Sequence, residues 1–372
     1  MIPFTSKLYY KACCLALFFV AAAASFNGYF VKWHFREAGT SEFMPRASFD
    51  VLVDGSAARP YVYRQLLPML ATWIDGRVSE RIKDRLLTAK GDRGPTFLSR
   101  LVDSPLAQDR IWFLRYLIVY ALVFLFAWLS VHALFQAGKV LGYPSPPSAL
   151  AAIAFILLMP YFLTVGGYLY DYPELAFCAL AVWMAVKCDW WWIVPLAAMA
   201  TWNKESFLLF VPTLYPFLRA RYSRLRAAIG TGIIGSACVA VYAFLRMRFQ
   251  HNPGGAVENH AIAQFYWFLH FFTNPFREKT YGLPVTPLFN LLCLALIVWT
   301  VWRGWRHLPQ AAQRHAQIAA IINVPLYVLF CEPGELRDLS LLYVTLFLLI
   351  AANLTEWIGR HDEDNVRYFS HI

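Results

Sequence analysis

Residues 117–135 read LIVYALVFLFAWLSVHALF, nineteen positions without a Lys, Arg, Asp or Glu. A second block, LFNLLCLALIVWTVW, fills 288–302. About 20 mostly apolar residues in a helix cover the ~30 Å of hydrocarbon in a bilayer. Inside that hydrocarbon only helices and closed barrels satisfy their backbone groups. Runs this long therefore restrict the chain to an all-α polytopic membrane protein. Composition agrees: 59% of residues are hydrophobic, only 15% are charged and the mean hydropathy is +0.46, whereas soluble domains carry about 25% charge.

The pattern predicts about ten transmembrane helices, at 8–31, 111–136, 148–167, 172–187, 190–202, 205–218, 227–246, 286–302, 316–331 and 339–358, in a single integral membrane domain over 1–372. The N-terminal run continues through NGYFV, which favours an uncleaved first helix over a secretory signal. The net charge of +10 reflects basic residues in short loops. RARYSRLR (219–226) holds four arginines, and Lys7 and Lys11 flank the first run. Positive loops face the cytoplasm, so both termini are expected there, in the plasma (inner) membrane. Nucleic acid is excluded as a partner, because no soluble module concentrates the positive charge. The seven cysteines form no CxxC and read as small core residues.

With two short spans at 190–202 and 205–218, the tight turn NKES (203–206) and every other unusual segment fall on the outer face. The first outer loop, 32–110, carries amphipathic stretches over 77–110 such as SERIKDRLL, with a serine cap. A second outer loop spans 247–285 and holds His251, His260 and His270 without a metal-ligand spacing.

Ionisable residues at the ends of spans and facing the bundle are functional suspects. In YLYDYPELAF, Asp171 and Glu174 lie three apart, on one side of a helix that Pro173 helps to start. Lys204 and Glu205 sit in the NKES turn. Glu332, Glu335, Arg337 and Asp338 crowd CEPGELRD, where an arginine fork suits a phosphate. FDVLVDGSAARPYVYR places Asp50, Asp54, Arg59 and Arg64 within fifteen residues, a base beside anion-binding groups. Asp54-Gly55 reads as a turn, and Arg59 before Pro60 as extended backbone.

Acids and phosphate-gripping cations on the outer face of a membrane protein suit a substrate that arrives dissolved in the bilayer. A polyprenyl-phosphate-linked sugar is such a substrate. A carboxylate takes a proton from an acceptor hydroxyl, and cations hold the departing phosphate.

On LVDGSAARPYVYRQLLP, YDYPELAF, WNKESFLLF and PGELRDLSLLY the chain resembles bacterial members of the GT-C superfamily of polytopic glycosyltransferases. The resemblance implies a large first outer loop with a catalytic acid, a polyprenyl-phosphate sugar donor, a glycan, lipid or protein acceptor of the cell envelope, and inverting transfer. Carried onto this sequence, the acid is Asp54 or Asp50. Arg64, Lys204 and Arg337 would hold the donor phosphate, with Asp171 and Glu174 shaping the pocket. Many such enzymes place an acidic pair soon after the first span. Here only Glu37 and Glu42 stand there, in a different context. Some members depend on a divalent metal; no other cofactor is expected. The alternatives are an ion-coupled transporter or flippase, and a polysaccharide polymerase using a lipid-pyrophosphate donor. A transferase requires the acids and cations to converge around one outward-opening cavity.

Overall fold

A computed structural model describes residues 4–37, 44–88, 104–255, 259–269, 279–284 and 287–369. Helix α1 is Phe4–Trp33. Three short helices follow: α2 (Phe49–Asp54), α3 (Leu66–Asp75) and α4 (Glu80–Thr88). Then come α5 (Phe113–Val140), α6 (Ser145–Phe162), α7 (Asp171–Lys187), α8 (Ile193–Asn203), α9 (Phe207–Arg221) and α10 (Arg224–Arg248). Helix α11 (Ala261–Leu269) precedes a two-residue antiparallel pair, β1 (Lys279–Thr280) with β2 (Leu283–Pro284). The chain ends in α12 (Pro287–Gly304), α13 (Gln310–Phe330), a 3-10 segment Leu336–Leu342, and α14 (Tyr343–Phe369).

The chain is thus helical, and helices occur at each place where the apolar runs predict one. Among the described residues, five segments are long and apolar enough to cross a membrane: Lys11–Trp33, Phe113–Val140, Ser145–Phe162, Arg224–Arg248 and Leu336–Gly359. Helices α8 and α9 are short for a crossing. At 1.5 Å per residue, the 11 residues of α8 reach only about 16 Å. The NKES turn does separate them. Most of the amphipathic stretch 77–110 beyond α4 lies outside the described residues, as do Glu42 and His270.

Helix α7 is the centre of the bundle, packed by α5, α8 and α9. Its buried positions run round the whole helix, from Leu175 and Ala176 to Val182 and Ala185, which is the pattern of a helix surrounded by other helices. Small residues on both sides, Ala127, Ser130 and Ala137 of α5 and Ala179 and Ala181 of α7, allow close helix approach. Burying α7 carries its first turn into the interior.

Proline fixes a second junction. Pro160, inside α6, has no N–H, which frees a backbone carbonyl one turn back. The Ser25 hydroxyl donates to the Ile156 carbonyl at 2.5 Å, and the Tyr172 hydroxyl in turn pairs with Ser25 Oγ at 2.7 Å. Tyr281 caps the adjacent Leu157 carbonyl at 3.1 Å. One serine therefore joins α1, α6 and α7. Ser25→Ala is expected to lower stability by about 1–3 kcal/mol, since it strands a buried carbonyl; thermal melting of the purified protein measures this.

After α1, His34, Phe35 and Arg36 adopt positive φ of 39°, 53° and 58°. Non-glycine residues rarely hold this left-handed geometry, and each costs of order 1–3 kcal/mol. The run is held from both sides. Phe35 is buried among Phe30, Phe49 and Tyr116, and fully buried Glu37 accepts from the Ser104 and Tyr116 hydroxyls.

Candidate functional site

The first turn of α7 presents both of its acids to one buried cluster. Glu174 Oε2 receives Lys204 Nζ at 2.7 Å, while Oε1 accepts from the Ser206 and Ser340 hydroxyls at 2.6 Å each. Ser206 stands at the N-cap of α9 but makes no side-chain cap there; its hydroxyl serves Glu174 instead. Asp171 Oδ2 accepts the Tyr168 backbone N–H at 2.7 Å, and Oδ1 faces Arg337 Nη1 at 3.5 Å and Lys204 Nζ at 3.9 Å.

Lys204 ends α8 in extended backbone, φ −156° and ψ 128°. That change of direction turns its side chain into the cluster. Asp338 Oδ1 lies 3.7 Å from Lys204 Nζ and 3.6 Å from Arg337 Nη1. Glu335 Oε1 receives both Nε and Nη2 of Arg337 at 2.8 Å. The segment bearing these residues is pinned to α13 by Asn323, which donates to the Asp338 carbonyl at 2.7 Å and accepts the Leu341 N–H at 3.1 Å.

Arg64 completes the set, bidentate on Glu205 at 2.7 and 3.2 Å and hydrogen-bonded to the Tyr170 hydroxyl. The guanidinium also lies 4.4 Å over the Tyr170 ring. Tyr168 and Tyr170 stack at 5.0 Å, and Tyr61 stacks on Tyr168 at 5.5 Å. Arg36 and Arg337 both approach the Tyr168 ring, at 4.3 and 4.6 Å. The left-handed run after α1 is what delivers Arg36 there.

Asp171, Glu174, Lys204, Arg337, Arg64 and Glu335 are each no more than 8% exposed. Among the described residues, five carboxylates (Asp171, Glu174, Glu205, Glu335 and Asp338) meet three cations directly, with Arg36 a fourth at the Tyr168 ring, leaving one negative charge in excess when all are ionised. Burial pushes the Glu335 carboxyl up to about 7; Arg337 opposes the rise and Asp338 adds to it. Desolvation offsets most of the attraction in a buried ion pair, so stability alone does not account for eight such groups. Gly166 makes the approach of Glu335 possible: a Cβ there would lie 2.0 Å from Glu335 Oε1 and 3.0 Å from Arg337 Nε.

The cluster thus gathers Arg64, Asp171, Glu174, Lys204, Glu205, Glu335 and Arg337 from four separate stretches of sequence. Asp50, Asp54 and Arg59 stand apart from it. Asp54 is exposed and accepts the Ser56 N–H at 2.8 Å, closing the turn that Asp54-Gly55 predicts, with Gly55 at φ 81°. Asp50 accepts from the Ser48 hydroxyl at 2.5 Å. Arg59 precedes Pro60 through a cis bond and serves a loop junction, with Nη2 on the Gly254 carbonyl at 2.6 Å and N–H on the Pro253 carbonyl at 2.8 Å. Sequence reasoning passed over Tyr168, Tyr170, Arg36, Ser206 and Ser340, and noted Asp338 without choosing it. Among the described residues, no group of three or more His, Cys, Asp or Glu side chains is placed to hold a metal ion.

No protein-family model, no curated protein and no solved structure matches this chain.

Proposed function

We propose that the chain is an integral membrane glycosyltransferase of about ten spans and GT-C-like build, moving a sugar from a polyprenyl-phosphate donor to a cell-envelope acceptor. The observation that carries this reading is the buried convergence of Glu335, Arg337, Lys204 and Asp171 at one end of a membrane-type bundle. The cluster end is read as facing outward, since the basic loop 219–226 lies at the opposite end of α9 from Lys204.

In this reading the fork of Arg337, which holds Glu335 in the structure, takes the donor phosphate. Glu335 is then released beside the acceptor hydroxyl to act as the base. The acceptor oxygen forms a bond to the anomeric carbon as the carbon–phosphate-oxygen bond breaks. The hydroxyl proton goes to Glu335, and the charge on the leaving phosphate is held by Arg337 and Lys204. A single displacement inverts the anomeric centre. The base is thus a member of the cluster rather than Asp54 or Asp50.

The test is transfer of a labelled sugar from a polyprenyl-phosphate donor to envelope material in membranes containing the chain. Transfer is expected to rise with pH through about 7, because Glu335 must be ionised to accept a proton. Glu335→Gln is expected to remove at least 10²-fold of the rate, while Asp54→Asn retains it. A full rate in Glu335→Gln, or none in the wild-type chain, defeats the proposal.

The carboxylate excess favours a second reading, an ion-coupled transporter of a small anionic or lipid-linked substrate. Proteoliposomes distinguish the two: substrate accumulation driven by an ion gradient, without a new glycosidic bond, supports transport.

A further inference from the structure

Helix α11 has two unlike faces. Inward, Gln264 is 2% exposed. Its Nε2 donates to the carbonyls of Tyr327, Cys331 and Glu332, each at 3.2 Å, and its Oε1 accepts the Gly334 N–H at 3.2 Å. One side chain thereby ties α11 to the end of α13 and to the loop that leads directly into Glu335 and Arg337. The contact is close: Gly334, at φ 78°, passes so near Trp267 that a Cβ would lie 2.4 Å from the indole.

Outward, Ile262, Phe265, Tyr266 and Leu269 are 73%, 63%, 56% and 55% exposed. Their spacing of i, i+3, i+4 and i+7 puts all four on one apolar stripe. Helix α13 carries a similar stripe at Ile321, Val324 and Val328. The His260 N–H donates to the Leu329 carbonyl at 2.8 Å, which sets the start of α11 against the last turn of α13.

We propose that α11 is an interfacial helix. Its Ile262, Phe265, Tyr266 and Leu269 stripe rests among the lipid chains of the leaflet on the side of the charged cluster, and this seating holds the 331–334 loop, and with it Glu335 and Arg337, in place. The inference rests on α13 lying in the membrane and is independent of the glycosyl-transfer reading. The occupant is lipid because Gln264 and His260 tie α11 to the end of α13, which carries its own exposed apolar residues over the proposed span 316–331. Four side chains also fall short of the about 800 Å² per partner that a stable protein interface buries. Amphipathic helices of this kind sit about 5–10 Å into the headgroup boundary.

The test uses the full chain, one copy per nanodisc of phosphatidylethanolamine and phosphatidylglycerol. A photoreactive benzoylphenylalanine is introduced at Ile262, at Phe265 or at Asn259, which precedes α11. Irradiation is expected to give several-fold more lipid adduct at positions 262 and 265 than at 259, read by mass spectrometry. Equal adducts at all three positions, or covalent dimers from a sample in liposomes in place of lipid adducts, overturn the interfacial placement. In the second arm, Gln264→Ala is expected to speed amide exchange across 331–337 while α13 and α14 stay protected. Unchanged exchange there overturns the link to the charged cluster. Neither readout requires transferase activity.

Discussion

Lys204→Met is expected to abolish transfer and to lower stability by about 3–5 kcal/mol, the scale seen when one partner leaves a buried ion pair. Lys204 Nζ faces Glu174, Asp171 and Asp338 at 2.7, 3.9 and 3.7 Å. Without the ammonium, Glu174 keeps only the Ser206 and Ser340 hydroxyls, and the carboxylate excess of the cluster grows by one. The accompanying double variant separates charge from packing. Lys204→Met with Glu174→Gln removes the charge left stranded, so part of the lost stability returns while transfer does not. Thermal unfolding in detergent reads the first effect and labelled-sugar transfer the second. A single variant that melts like the wild type would mean that Lys204 is not neutralising these carboxylates.

Gly166→Ala is expected to remove transfer with a smaller loss of stability. The new methyl falls 2.0 Å from Glu335 Oε1, so the carboxylate must swing away and give up its two contacts with Arg337. Overpacking of this kind costs about 1–3 kcal/mol, well within what a membrane bundle tolerates. The proposed base and phosphate fork lose their alignment, which lowers the rate far more than the melting temperature. Gly232→Ala is the control: nothing lies within 4 Å of its Cβ, and transfer should be unchanged. Equal rates in the two alanine variants would show that the Glu335–Arg337 pairing is not needed for turnover.

The helical class and the places of the ten predicted helices could be read from apolar run length, which is a local property. Asp171, Glu174, Lys204 and Arg337 could be read too, because a charge in an apolar chain is conspicuous. Their partners are another matter. Ser206 and Ser340 look like ordinary loop residues until they are seen 2.6 Å from Glu174. Tyr168 and Tyr170 look like interfacial aromatics until they are seen stacked among Arg36, Arg64 and Arg337. These contacts join stretches more than thirty and as many as 169 residues apart, and no local pattern encodes them. Asp54 is the opposite case. Its local signal, Asp followed by Gly, describes a turn, and closing that turn is the hydrogen-bonding role the carboxylate has.

The order in which a ribosome delivers these segments gives the cluster a further consequence. Asp171 and Glu174 enter the bilayer boundary before either cation that pairs with them from the C-terminal side. Lys204 follows soon, but Arg337 comes 166 residues after Asp171, roughly 10–30 s later at ordinary translation speeds. During that interval the nascent bundle holds acids without their full complement of counter-charge. Final assembly must therefore wait for the last segment, and chains terminated before it should be cleared by membrane proteases as unfinished.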